Sequence, residues 1–327
     1  MIAGLRFVCR GARLAAGVFV SATLLGGCAS LLVPQTVALR EAPPAGLVER
    51  VELKEVPFFP QVEYQCGPAA LATVLAHFRV KVTPDDLVAQ VYIPERKGSV
   101  QAEMLAASRR YGLVSYPLAP RFEDLLHELA AGNPVIVLEN LGVWPFERWH
   151  YAVAVGYDLE SRELLLRSGE KERLALPFAV HEYVWKKSGY WAMVAVPPER
   201  IPATADEARW LAAVAALERL GKAREARAAY ATSLKRWPEN INAAIGLANT
   251  YHASGELKQA ENVLRALLAR SPDSVVALNN LAQTLSDQGR NDEALKLIDG
   301  AAAVGGPFAG AVRETREQIL KRIATKR

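Results

Sequence analysis

Cys66 stands directly before Gly67 and Pro68 in the stretch FPQVEYQCGPAALATVLAHF, residues 59–78, and its thiol is a candidate nucleophile for acyl chemistry. A thiol attacks as its thiolate, and a cysteine at a helix start gains from unpaired N–H groups and the positive end of the dipole. Pro68 is tolerated in a first turn because its missing N–H would lack a partner anyway. Leu71, Val74, Leu75 and Phe78 supply the apolar side chains that can anchor such a helix and aim the sulfur. The competing reading of the same residue is a small buried hydrophobe, since free cysteines are often core residues.

A nucleophile also needs a base, and the 5 histidines differ in setting. His252 lies far along the chain in a helical repeat. His77 is on the helix of Cys66 itself, about 16 Å along its axis. His127 falls in a charged helical stretch and His181 in a loop-like segment, where a solvated surface position is expected. His150 opens the apolar run HYAVAVGY, a strand that can present an imidazole at its tip, just after LGVWPFERW, which could wall a cleft. The expectation is that folding brings this imidazole beside the sulfur and turns the thiol anionic.

The start of the chain reads as an address. Arg6, Arg10 and Arg13 precede LAAGVFVSATLLGG, an apolar run of signal-peptide length that ends in Leu25-Gly26-Gly27-Cys28. This resembles the bacterial lipobox, which implies cleavage after residue 27, lipid on Cys28 and, with Ala29 rather than Asp following, an outer-membrane anchor facing the periplasm. Loss of residues 1–27 lowers the 39 basic residues to 36 against 35 acidic ones. With so little net charge and no basic stripe, capture of nucleic acid is not supported. Cys9 leaves with the signal and Cys28 is taken by lipid, so Cys66 is left as a lone thiol in an oxidising compartment, where cysteines are usually paired.

At 327 residues, 51% hydrophobic and 23% charged, the chain predicts roughly two domains at about 100 to 200 residues each. Residues 28–54, with Pro34, Pro43 and Pro44 and no sustained period, suit a tether. Helices are expected at 66–79, 84–92, 100–111 and 121–131, and strands at 113–118, 134–140, 150–157, 163–167 and 190–196, a segregation that argues an α+β domain over 55–198. After a linker at 197–204 the sequence repeats itself: Gly221, Gly255 and Gly289 share a register, as do Ala226, Ala260 and Ala294, and Pro238 and Pro272. Three helix hairpins are expected over 205–308 (about 207–240, 241–274 and 275–308), with 309–327 as a solvated capping helix. Trp210, Leu247, Tyr251, Ala260 and Pro272 resemble the tetratricopeptide signature, which implies a concave surface that holds a peptide or a partner protein.

PQVEYQCGPAALATVL, followed some way on by HYAVAVGYD, resembles the C39 peptidase family. These are papain-like cysteine proteases whose best known members form the N-terminal domain of bacteriocin-exporting transporters and cleave leader peptides after a double glycine. The resemblance spans about residues 56–196, and no transporter follows here. It implies Cys66 as nucleophile and His150 as the general base that takes its proton and returns it to the leaving amine. Gln61 matches the glutamine that stabilises the oxyanion together with the cysteine N–H, although its spacing to Cys66 is one residue short and Gln65 is a rival. The family commonly places an Asp at the end of the next strand to hold the imidazole; here RELLLRSGEKER offers Arg167 or Ser168 at that place. A cation cannot support an imidazolium. Ser168 could accept a hydrogen bond weakly, and Asp158, expected to face solvent from the intervening turn, is the other candidate.

The expected fold is therefore an α+β papain-like cysteine peptidase domain plus an all-α tetratricopeptide-repeat solenoid. The expected function is hydrolysis of a peptide or isopeptide bond by a Cys-His dyad, with a peptide or protein substrate, a protein partner on the repeats, membrane attachment by lipid, no metal and no cofactor. A catalytically inactive peptide-binding scaffold in an envelope or export complex is the alternative, and another thiol acyl transfer is a third reading.

Overall fold

A computed structural model describes residues 32–61 and 65–325. The expected signal peptide and the lipidated Cys28 lie outside the described residues. By compactness the chain divides into Met1–Val100 with Pro117–Val194, and Gln101–Tyr116 with Ala195–Arg327.

In the first unit the described chain begins with helix α1 (Pro34–Glu41) and strand β1 (Arg50–Glu52). Both elements fall within the residues expected as a tether. The Glu182 carboxylate accepts the N–H groups of Gln35 (2.9 Å) and Thr36 (2.6 Å), so an anion sits on the unpaired donors of the first turn of α1. Then come the cysteine helix α2 (Cys66–His77), α3 (Pro84–Val91) with Thr83 and Asp86 forming a capping box, and the short pair β2 (Tyr92–Ile93) and β3 (Gly98–Ser99).

Helix α4 (Gln101–Arg110) and strand β4 (Val114–Pro117) follow. The first unit resumes with α5 (Phe122–Ala130), β5 (Val135–Asn140), β6 (Trp149–Asp158), β7 (Glu163–Ser168), β8 (Lys171–Pro177), α6 (Phe178–Trp185) and β9 (Ala192–Val196). Its strands run in the order β9-β5-β6-β7-β8, all antiparallel, with β1 also paired to β6. Every residue of β5 and β9 is buried, as are residues 151–158 of β6, which is how a central strand reads when helices cover it. Helix α2 packs on β6 and β5 with residues 67–75 buried, so it is apolar all round rather than striped. Leu71, Val74 and Leu75 are completely buried. At about 1.5–3 kcal/mol for each such side chain, the position of the helix on the sheet is fixed independently of the cysteine.

The second unit takes in α4 and β4. The reason lies in Tyr116: its hydroxyl accepts the Asp206 N–H at 2.9 Å and its ring lies 6.4 Å from that of Trp210. The remainder is helical: α7 (Glu207–Arg219) with α8 (Ala223–Arg236), α9 (Ile241–Ala253) with α10 (Leu257–Arg270), α11 (Val275–Asp287) with α12 (Asn291–Val304), and a final α13 (Ala309–Thr325). The first helix of each pair is capped at one register, where side chains of Asp206, Asn240 and Ser274 accept the N–H of Arg209, Ala243 and Ala277. Gly221, Gly255 and Gly289 close the turns at φ 81°, 78° and 82°, a region that side chains disfavour. Ala226, Ala260 and Ala294 are fully buried where paired helices approach.

Candidate active site

The site is built where the first turn of α2 meets the first residues of β6. Cys66 is the first residue of its helix and is half-buried. Main-chain N–H groups of Tyr151, of Gly67 and of Cys66 itself point at its sulfur. Tyr151 follows His150 directly in β6, so the sulfur lies against the main chain one residue from the imidazole. Gln61 is held at the same point, its Nε2 donating to the Tyr151 carbonyl at 3.3 Å and its N–H to the Gly169 carbonyl at 3.1 Å. Tyr151 thus links all three elements through its backbone. Gln65, the rival glutamine, is the residue before α2 and makes no side-chain cap there.

His150 is oriented by Ser168, whose Oγ lies 2.9 Å from Nε2. That contact comes from β7, where the pairing shifts between Leu166 and Ser168. Arg167, the other residue at that place, is buried and turned elsewhere: it donates to the carbonyls of Glu172 and Val56 (3.2 Å to the latter). Asp158 is corrected on both counts. It occupies the opposite end of β6 from His150, a separation of about 25 Å along a strand. There it is 7% exposed rather than solvated, accepting from the Arg50 Nε at 2.7 Å and the Ser161 N–H at 3.0 Å.

Burial pushes the Cys66 thiol up from 9.0, and the three N–H groups only partly offset it. Burial likewise pushes the His150 imidazole down from 6.5, with Glu139 opposing and Arg148 reinforcing the change. Both displacements favour the uncharged partner. Burial thus works against charge on both groups, and the help of the helix start only partly offsets it for sulfur.

The loop before His150 is a tight hairpin. Asn140 Oδ1 accepts the N–H groups of Gly142 and Arg148, both at 3.0 Å, and a Cβ at Gly142 would lie 2.0 Å from the Phe146 carbonyl oxygen, so only glycine fits. Trp144 and Phe146 project from it at 89% and 79% exposure, a wall of aromatic surface on the strand that carries the histidine.

The other histidines divide differently from expectation. His127 pairs with Glu123 on a helix surface, and His252 meets Asp287 at 2.8 Å among the repeats. His181, expected on the surface in a loop, is fully buried in α6 with Nδ1 2.8 Å from Glu139 Oε1. The signal was present in the sequence: Phe178, Trp185 and the polar pair His181 and Glu182 form one buried helical face, but two titratable residues mask its apolar period.

Residues 53–193 match the model of the Peptidase_C39 like family, and residues 217–274 and 259–306 match that of the Tetratricopeptide repeat. Cellulose synthase operon protein C of Pseudomonas fluorescens (strain SBW25) is 37% identical over 97 residues, 29% of this chain but 8% of that protein, so the chain spans a small part of that relative. Among solved structures, one described as a C39-like peptidase from Bacillus anthracis is 18% identical over 46% of this chain and 98% of its own, with a TM-score of 0.38. A double glycine motif protease from an AMS/PCAT transporter, solved with the leader peptide, is 22% identical over 46% of this chain and 96% of its own, TM-score 0.34. A tetratricopeptide protein of Thermus thermophilus is 22% identical over 36% of this chain and 66% of its own, TM-score 0.34.

Iodoacetamide consumes thiolate, so the alkylation rate of Cys66, followed by mass spectrometry of its peptide, should climb with pH along a curve whose midpoint lies above 9.0. A midpoint below that value, with a reactive plateau at neutral pH, would instead demonstrate a preformed ion pair.

Proposed function

From a chain that carries a C39-like peptidase domain followed by tetratricopeptide repeats, we propose a cysteine peptidase that cleaves peptide or isopeptide bonds with Cys66 and His150. The observation that carries the reading is the convergence of Cys66, Gln61 and the His150 strand on the backbone of Tyr151. With Nε2 engaged by Ser168, Nδ1 is the nitrogen that takes the thiol proton as sulfur attacks the carbonyl carbon. Burial disfavours charge on both groups, so this transfer accompanies attack instead of preceding it. The imidazolium then protonates the leaving amine, and water, deprotonated by the same ring, releases the acyl group from sulfur. The oxyanion formed in each half is met by the Cys66 N–H at the helix start and by the Gln61 amide, which has a second N–H beyond the one given to Tyr151. The repeats dock substrate or a protein partner on their concave side. Lipid on Cys28 would hold the enzyme at the outer membrane, facing the periplasm.

One observation favours the inactive alternative, a peptide-binding scaffold: the residue against His150 Nε2 is an uncharged serine. Turnover of a peptide library by the purified chain separates the two. Cleavage should vanish in Cys66→Ala, fall about 10²–10⁴-fold in His150→Ala and about 10²–10³-fold in Gln61→Ala. If Cys66→Ala retained full function in cells, the scaffold would be the better account. For the anchor, Cys28→Ala should move the chain from the membrane fraction to the soluble one; continued sedimentation with membranes would contradict it.

A further inference from the structure

We infer that Glu139 is the positioning residue whose carboxylate supports the His150 ring when that ring takes up a proton, a part that Ser168, being neutral, leaves open. The inference rests on the peptidase reading above and names the missing support of its base. Glu139 is directly opposite His150 in the antiparallel register of β5 and β6, and opposite residues of such a pair project to the same face with Cβ atoms about 4.5–5.5 Å apart. It is 2% exposed, so water does little to screen it.

What holds the carboxylate there is a second histidine. Glu139 Oε1 is 2.8 Å from Nδ1 of His181, whose ring is fully buried, stacked on Trp185 at 5.3 Å and set edge-on to Phe122 at 5.5 Å. His181 Nε2 is buried with no hydrogen-bond partner. A proton there would be a buried unpaired donor, so the ring proton belongs on Nδ1, which donates to Glu139. That donor fixes one oxygen of the carboxylate in place.

The groups around His150 leave this role to Glu139. From β7 comes the Ser168 hydroxyl and from the preceding loop the Arg148 cation, while the Cys66 thiol on α2 lies against the backbone of the next residue, Tyr151, whose own phenol projects to the opposite face of the strand; Lys187, beyond β5, gives its ammonium to the carbonyls of Asn140 and Gly142. Arg148 opposes a proton on the ring, and Glu139 favours one. The anion thus arrives from the strand before the histidine, where the sequence pattern of the next strand offers none.

The test is the titration of the His150 ring, followed by NMR in the whole chain carrying Cys66→Ala, with Glu139 or with Glu139→Gln. The amide should weaken proton binding by roughly tenfold, and in the chain with Cys66 intact it should lower kcat by about tenfold with KM little changed, while the acid limb of kcat/KM moves to lower pH. Equal proton affinity with and without the carboxylate would overturn the inference. The titration needs no turnover, so a chain that cleaves nothing would sink the peptidase reading and still leave this result decisive. Should Glu139→Gln fail to fold by circular dichroism, Glu139→Asp decides: it withdraws the charge by one methylene and should give an intermediate proton affinity, whereas a value equal to that of wild type would count against the inference.

Discussion

The contact between the start of helix α2 and the backbone of Tyr151 sets the geometry of everything around it. A helix apolar on all sides has a single stable place, under a sheet, and residues 67–75 take it against β6 and β5. Cys66 is the residue at which that buried helix emerges. Its sulfur meets the Tyr151 N–H, while the Tyr151 carbonyl receives the Gln61 amide. His150 is joined to Tyr151 by one peptide bond, so the main chain sets its backbone beside the cysteine, and the Ser168 contact at 2.9 Å holds its ring.

The same burial decides the electrostatics. Desolvation penalises charge on the thiol and on the ring alike, and the N–H groups at the helix start are too few to reverse it for sulfur. In the proposed reaction the burden falls on the imidazolium that forms as sulfur attacks. In the proposed site, orientation and charge compensation, commonly supplied together by one carboxylate, fall to separate residues on the two strands flanking β6: Ser168 on β7 holds Nε2, and Glu139 on β5 supplies the negative field. Glu139 in turn is kept by His181, itself wedged between Trp185 and Phe122.

Much of the fold was legible because its signals are local. Cys-Gly-Pro before a continuous apolar run marks a buried helix with a residue at its mouth, and strands β5, β6, β7 and β9 fall within a residue or two of the runs rich in Val, Leu and aromatics. The recurrence of glycine and alanine at one register declared the helix hairpins. What escaped was long-range. Strand β1 is three residues long and exists only because β6 offers a partner. Strand β8 is a charged edge, KERLALP, without the alternation that betrays a half-buried strand. Helix α6 hides its face behind His181 and Glu182. Asp158 drew attention by proximity in sequence to His150, yet a ten-residue strand carries it to the far end of the sheet. Glu139 had no signal at all in one dimension, because only strand pairing sets it against the imidazole.

The central claim is that Cys66 is the attacking atom, and the acyl group it would carry is directly observable. Purified wild-type chain, mixed with a peptide that it turns over and quenched in acid within its turnover time, should show by mass spectrometry an adduct on Cys66 equal to the N-terminal product less water, a thioester absent from Cys66→Ala. Continued peptide cleavage with Cys66 unmodified at every quench time, and undiminished in Cys66→Ala, would contradict the account.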